Sequence, residues 1–325
     1  MRIVFMGTPT FAVPSLEALL KSPYEVVGVV TQPDRPKGRG QGVEASPVKQ
    51  LATFHGLPIL QPQKMKDPEF LDPLSGWKAD VIVVTAFGRI LPKVILDLPP
   101  IGCVNVHASL LPKYRGAAPI QWAIINGEPE TGVTMMLMDE GMDTGPILLQ
   151  ATLPIGLEET AEELSIRLAE LGGAQLGSTL QKLADGTLIP HPQDETQAIL
   201  APLLKKENGL MSWTLTATEL AYRVRGLSPW PGCFTFLGQE RLAIWKAIAC
   251  DSPMNHGTAN RVPGRIVDVK NTGLWVETGG GYLKILEVQP ANKKRMPIDQ
   301  FLRGRILNPG MQFSSSDTPC SDRYR

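Results

Sequence analysis

The first 155 residues alternate short, almost wholly apolar runs with amphipathic or polar stretches. Residues 2–6, 25–31 (EVVGVVT) and 80–87 (DVIVVTAF) have the valine- and isoleucine-rich character of strands buried on both faces. Between the first two, Gly7-Thr8-Pro9 predicts a turn and residues 11–21 a helix. Strand, turn, helix and strand make a βαβ unit, and hence a parallel sheet. Residues 91–98 are apolar and follow the third strand. Residues 103–107 alternate, so Asn105 and His107 leave a strand on the same face, their Cα atoms roughly 6.5 Å apart. A Pro/Gly-bearing loop and a helix over 119–126 come next, then strands over 132–139 and 147–155. Residues 160–184 form a long amphipathic helix, which Thr160 and Glu163 open as a capping box and Asp185-Gly186 close.

Beyond this point the pattern changes. Residues 189–201 (IPHPQDETQAILA) are polar and carry prolines, which predicts a linker over 190–204. Short β-like runs then follow at 233–237, 242–247, 264–269, 273–277 and 282–288, with one helix over 218–225. Short strands separated by Gly and Asn turns predict a small all-β barrel or sandwich over 205–313. Residues 314–325 are rich in Ser and Asp and read as a disordered tail. The fold class is therefore α/β: a parallel-sheet domain over 1–189, then a smaller all-β domain.

Charge changes the picture. The 325 residues have zero net charge, but residues 1–204 hold 15 Lys/Arg against 22 Asp/Glu, a net of −7, whereas residues 205–313 hold 15 against 8, a net of +7. A basic second half beside an acidic first half fits an anionic partner, nucleic acid first. The four cysteines show no CxxC spacing and fit a reducing compartment. The amino terminus has too few consecutive apolar residues for a signal peptide or a membrane span, so the cytoplasm is the expected compartment.

The candidate chemistry lies where the 103–107 strand ends. Asn offers NH₂ donors to a carbonyl oxygen as it becomes anionic, and His can donate to that oxygen or carry a proton. A third polar group, Asp143, sits between Gly141 and Gly145, which allow a turn that presents its carboxylate. Asn105, His107 and Asp143 together can perform acyl transfer, with Asp143 orienting His107. No Ser or Cys in the stretch has a base beside it, so direct attack by the substrate is favoured over a covalent enzyme intermediate. His55, His191 and His256 have no metal-ligand spacing, and no metal is expected. Gly7-Thr8-Pro9 is not GxGxxG and no GxxxxGK[ST] run exists, which argues against a dinucleotide or a P-loop nucleotide. The loop over 32–42 carries Arg35, Lys37 and Arg39 among two prolines and three glycines, as a flexible connector or a phosphate-contacting finger.

These motifs resemble one family. Asn105-x-His107 followed by Ser109-Leu110-Leu111-Pro112, with Asp143 near forty residues on, is similar to the 10-formyltetrahydrofolate-dependent formyltransferases. Gln32-Pro33-Asp34-Arg35-Pro36, Lys113-Tyr114-Arg115-Gly116-Ala117-Ala118-Pro119, Pro229-Trp230-Pro231-Gly232 and Lys293-Lys294-Arg295-Met296 extend the likeness through both halves. The resemblance implies a Rossmann-like amino-terminal sheet domain and a carboxy-terminal barrel similar to an OB fold. It implies Asn105, His107 and Asp143 as catalytic residues, and Ser109, Leu110, Leu111 and Pro112 as the loop touching the folate. It also implies transfer of formyl from 10-formyltetrahydrofolate to the α-amine of methionine on initiator tRNA, without metal. Arg39, with Arg35 and Lys37, would meet the acceptor stem, and Lys205, Lys206, Lys293, Lys294, Arg303 and Arg305 the tRNA backbone. A monomer is expected.

Two positions depart from the family pattern: Ala108 and Asn292 stand where glycine is expected. Ala108 requires an ordinary backbone conformation, while Asn292 can keep a left-handed turn. Formyltransferases acting on a sugar-nucleotide amine or on glycinamide ribonucleotide, and a 10-formyltetrahydrofolate hydrolase, can share Asn, His and Asp, so the three residues do not separate them. A tRNA-binding protein without catalysis would leave those residues unexplained.

Overall fold

The computed structural model describes residues 1–37, 42–250 and 261–315. Two compact units emerge. The first comprises Met1–Pro119, Glu130–Pro154 and Glu163–Pro202; the second comprises Ile120–Pro129, Ile155–Glu162 and Leu203–Arg325.

The first unit is built on seven strands: β1 (Arg2–Gly7), β2 (Glu25–Val30), β3 (Ile59–Leu60), β4 (Val81–Thr85), β5 (Gly102–His107), β6 (Glu130–Leu137) and β7 (Ile147–Pro154). Their order is β7-β6-β5-β4-β1-β2-β3. Strands β3, β2, β1, β4 and β5 run parallel, whereas β6 pairs antiparallel with both β5 and β7. Between β1 and β4 the winding reverses, the place where open α/β sheets form crevices at their carboxyl ends. The first unit's helices are α1 (Val13–Leu20), α2 (Pro47–Phe54) and α3 (Pro68–Gly76), with most of α5 (Ala161–Ala184), while α4 (Pro119–Ile125) falls in the second unit but for its first residue. Of the apolar run at 91–98, a single helical turn forms at Lys93–Leu96, because Pro92 opens it and Pro99-Pro100 follow.

Alternation along the strands divides the core into two layers. Ile3, Phe5, Val83, Val104 and Val106 pack with Leu16, Val48, Leu176 and Leu180; Val4, Met6, Ile82, Val84 and Cys103 pack with Phe70, Leu74 and Ile95. Each such large side chain, fully buried, stabilises by about 1.5–3 kcal/mol. A one-residue slip of β5 would bring Asn105 and His107 into the first layer in place of Val104 and Val106, so register is firmly set. Asn105 and His107 share the face of Cys103, at the strand's carboxyl end.

Residues 190–202, with the composition of a connector, are held to the first unit. His191 and Ile147 exchange backbone hydrogen bonds of 2.8 Å, and Leu200–Ala201 pair in parallel with Arg115–Gly116. Prolines break the stretch into short pieces, a 3₁₀ turn at Glu195–Gln197 and the strand at Leu200–Ala201.

In the second unit Thr216 and Glu219 form a capping box at the start of α6 (Ala217–Gly226). Five antiparallel strands, β8 (Cys233–Leu237), β9 (Glu240–Cys250), β10 (Ile266–Lys270), β11 (Gly273–Glu277) and β12 (Tyr282–Pro290), lie in the order β10-β11-β12-β9-β8, and Phe313–Ser314 follows β8. The Ile266 N–H donates to the Met311 carbonyl at 2.7 Å, and the Phe313 N–H to that of Gly264 at 2.8 Å. Ser314 and Ser315 thus belong to ordered structure, Ser315 Oγ donating to the Met211 carbonyl at 2.6 Å, whereas the tail was expected from 314. Residues 316–325 lie outside the described residues. Asn292 has φ +59°, the left-handed geometry expected of it, and Ala108 is not among the residues at positive φ.

Candidate active site

Three chain segments of the first unit meet at the end of β5. That strand supplies Asn105 and His107, 9% and 6% exposed. The turn after β6 supplies Asp143, whose side chain is 16% exposed. In that turn Asp139 Oδ1 accepts the Gly141 N–H at 3.0 Å and the Thr144 hydroxyl at 2.7 Å. A Cβ on Gly145 would stand 1.9 Å from the Leu137 carbonyl oxygen, so only glycine fits there. Asp143 itself has φ +56°, a region Asp enters more readily than most residues.

Asp143 divides its carboxylate among its neighbours. Oδ1 accepts from Asn105 Nδ2 at 3.3 Å, and Oδ2 accepts the Gly116 N–H at 2.9 Å. His107 Nδ1 stands 3.6 Å from Oδ2. On the other side of the ring, Nε2 lies 2.9 Å from the Tyr114 carbonyl oxygen. A carbonyl only accepts, so Nε2 carries hydrogen and Nδ1 is the nitrogen left for chemistry. One hydrogen of the Asn105 amide remains to donate to an oxyanion, a role worth roughly 3–4 kcal/mol in comparable sites.

The loop that holds Tyr114 is fastened by polar side chains. Thr134 Oγ1 donates to the Ser109 carbonyl at 2.6 Å and accepts the Leu111 N–H at 3.0 Å. Gln150 Nε2 donates to the Leu111 carbonyl at 2.8 Å, and Ser109 Oγ to the Lys113 carbonyl at 2.6 Å. Ser109 and Leu111 are buried, so their side chains shape the loop from inside, while Leu110 and Pro112 are half-buried.

Two functional candidates were missed by sequence reasoning. Arg115 is 5% exposed; its guanidinium donates to Glu195 at 2.7 and 2.8 Å and to Gln193 Oε1 at 2.8 and 3.0 Å. The Glu195 hydrogen bonds raise the Arg115 pKa against the opposing effect of burial, and Arg115 in turn lowers that of Glu195. Gln193 Nε2 donates to the carbonyls of Asp143 and Gly145, both at 2.8 Å.

Arg35–Lys37 pair with Gly42–Glu44 in a two-stranded ribbon, and Arg39 lies outside the described residues. Lys205, Lys206, Lys293 and Lys294 are exposed. Arg303 pairs with Asp299 at 2.9 Å, and Arg305 pairs with Glu240. Among the described residues no group of three or more His, Cys, Asp or Glu could hold a metal ion, and no helix is long and apolar enough to cross a membrane.

An amide, an imidazole and a carboxylate at the carboxyl end of a parallel sheet define a class. Residues 1–180 match the formyl transferase family and residues 203–305 its C-terminal domain, and the chain belongs to that family. It is 48% identical over 317 residues to the methionyl-tRNA formyltransferase of Citrifermentans bemidjiense, covering 98% of each chain. To the methionyl-tRNA formyltransferase of Desulfotalea psychrophila it is 51% identical over 304 residues, covering 94% of this chain and 93% of the relative. Among solved structures, a sugar 3N-formyl transferase crystallised in the presence of dTDP and 5-N-formyl-THF superposes with a TM-score of 0.67 at 20% identity, covering 90% and 99% of the two chains. An N-formyltransferase from Helicobacter canadensis, in complex with folinic acid and dTDP-3-aminofucose, gives a TM-score of 0.64 at 18% identity, over 89% and 98%. These two likenesses establish the fold.

Proposed function

We propose that the chain transfers the formyl group of 10-formyltetrahydrofolate to the α-amine of methionyl initiator tRNA, giving N-formylmethionyl-tRNA for translation initiation. The observation that carries this reading is the 48% identity to a methionyl-tRNA formyltransferase over nearly the whole of both chains, second unit included. The neutral amine attacks the formyl carbon, a new N–C bond forms, and the bond from that carbon to N10 breaks. Asn105 Nδ2 donates to the oxygen as it gains charge. His107 uses Nδ1 alone, since Tyr114 engages Nε2; it takes the amine proton and returns it to N10 of the departing tetrahydrofolate. Asp143 orients Asn105 through its hydrogen bond and sets its carboxylate 3.6 Å from His107 Nδ1.

The loop over Ser109-Leu110-Leu111-Pro112 is read as the folate contact, offered through its backbone and through the half-buried Leu110 and Pro112. Residues 1–189 would carry catalysis and residues 205–313 would bind tRNA. The net charge of +7 over 205–313 and the exposure of Lys205, Lys206, Lys293 and Lys294 support that division. Arg303, Arg305, Arg35, Lys37 and Arg39 complete the proposed contacts. An OB-like closure of the second sheet is supported by the hydrogen bonds that join Gly264 and Ile266 to Phe313 and Met311. We place the enzyme in the cytoplasm as a monomer. Purified protein given 10-formyltetrahydrofolate and, in parallel, charged initiator tRNA, an amino-sugar nucleotide and glycinamide ribonucleotide tests the reading. Formylation of the tRNA is expected; preference for either small acceptor would overturn it.

A further inference from the structure

The reaction as drawn leaves Gln193 unused, yet this residue touches the site more closely than its place in the sequence implies. It lies fifty residues beyond Asp143, on the segment that follows α5. Its amide orientation is fixed without ambiguity. Oε1 receives two donors from the Arg115 guanidinium, at 3.0 and 2.8 Å, so the NH₂ group must face the other way. There it meets two acceptors, the Asp143 and Gly145 carbonyl oxygens, each 2.8 Å away. Both amide hydrogens are matched to an acceptor.

We propose that Gln193 is a positioning residue for the formyl-transfer site, holding the Asp143 turn in its productive geometry; this deepens the reading above and rests on it. The turn needs such support. Asp143 sits at φ +56°, a left-handed geometry that residues with a side chain keep only where their surroundings hold it. Released from that conformation, its carboxylate would leave the Gly116 N–H and Asn105 Nδ2 together. The dipeptide Arg115-Gly116 grips the turn from two directions. Its Arg side chain anchors Gln193, its Gly N–H anchors the carboxylate, and its backbone pairs with Leu200–Ala201 of the segment that carries Gln193. A Cβ on Gly116 would lie 2.8 Å from the Ala201 carbonyl oxygen, so this approach of two backbones requires glycine. Reacting groups displaced by about 1 Å can lose on the order of 10²-fold in rate. The effect of releasing the turn therefore belongs in turnover, not in substrate affinity.

Two variants separate this role from plain stabilisation. Gln193→Ala removes both donors and the acceptor for Arg115. Gln193→Glu keeps that acceptor, and strengthens it with charge, but sets a carboxylate oxygen against two carbonyls. Steady-state kinetics on Met-tRNA and 10-formyltetrahydrofolate, with amide hydrogen exchange of residues 141–146 on the protein without substrates, gives two readouts. Gln193→Ala is expected to lower kcat by roughly 10- to 100-fold, with both KM values within about twofold and faster exchange confined to the turn. Gln193→Glu is expected to show no recovery of kcat. A kcat within twofold of wild type in Gln193→Ala, recovery in Gln193→Glu, a loss confined to KM, or unchanged exchange over 141–146 would each overturn the inference. Gln193→Glu retains the Arg115 pairing and carries the test alone if the alanine variant does not fold. Failure of the wild-type protein to formylate any tRNA would sink the functional reading instead, while hydrogen exchange would still report on the turn.

Discussion

Nδ1 of His107 and Oδ2 of Asp143 are 3.6 Å apart, too far for a good hydrogen bond. Asp143 therefore faces His107 without a shared hydrogen, while its hydrogen bonds go to Asn105 and Gly116. Asp143→Asn keeps the side chain's shape and removes the charge. Its kcat is expected to fall by roughly 10²–10³-fold, near that of Asp143→Ala, with KM for tRNA little changed. Steady-state formylation of Met-tRNA checks this; near-normal turnover in the Asn variant would return Asp143 to a purely orienting role.

The turn around Asp143 is built for glycine by space. A Cβ at Gly145 would meet the Leu137 carbonyl oxygen at 1.9 Å, and backbone would have to move. Gly145→Ala is expected to destabilise by about 1–3 kcal/mol and to depress kcat together with Tm. Gly177, within α5, has no atom within 4 Å of the corresponding position. Gly177→Ala is expected to stabilise by about 0.5–1 kcal/mol. Thermal or urea unfolding of the pair should give opposite signs.

Cations that already hold an acidic partner differ from those that hold none. Arg303 and Arg305 pair with Asp299 and Glu240, whereas Lys293 and Lys294 stand exposed beside the Asn292 turn. Removing both lysines is expected to weaken Met-tRNA use and to reduce the slope of log(kcat/KM) against log[salt] by about one for each phosphate no longer neutralised. Replacing Arg303 and Arg305 together should change that slope less. Equal slopes for all three proteins would remove this surface from tRNA binding.

Glu277, 3% exposed on β11, ties the start of β10 to the sheet. Burial pushes its carboxyl up, but the Arg265 hydrogen bond and the Val262 N–H outweigh it, and the net pKa lies below the ordinary 4.5. A folded pKa below the unfolded one means that the stabilisation is full above the unfolded value and is lost as pH falls through the folded one. The Tm gap between wild type and Glu277→Gln is therefore expected to be full at pH 7 and to shrink below the ordinary value. A gap independent of pH between 7 and 3 would show that Glu277 acts by shape alone.

Much of this could be read from local pattern. The alternation Cys103-Val104-Asn105-Val106-His107 carries its own face assignment, and the glycines flanking Asp143 announce a turn that turns out to be left-handed. What pattern could not supply was convergence from a distance. Gln193 sits in a proline-bearing, polar stretch with the composition of a linker, and the acceptors of its amide are backbone carbonyls about fifty residues away, which leave no mark in side-chain spacing. The same holds for Tyr114, whose carbonyl fixes the His107 tautomer while its side chain is buried. In the second unit the strand runs were legible because turn residues bound them. The length of β9, Glu240–Cys250, was not, since its pairing with β12 extends past the apolar run.

The most direct test of the central claim is single-turnover formylation of methionyl initiator tRNA, with protein in excess and 10-formyltetrahydrofolate saturating, for wild type beside His107→Ala. N-formylmethionyl-tRNA is expected from wild type, with the rate of the chemical step reduced by roughly 10²–10⁴-fold in the variant while tRNA is still bound. Equal rates for the two proteins, or no formylated tRNA from wild type, would contradict the account.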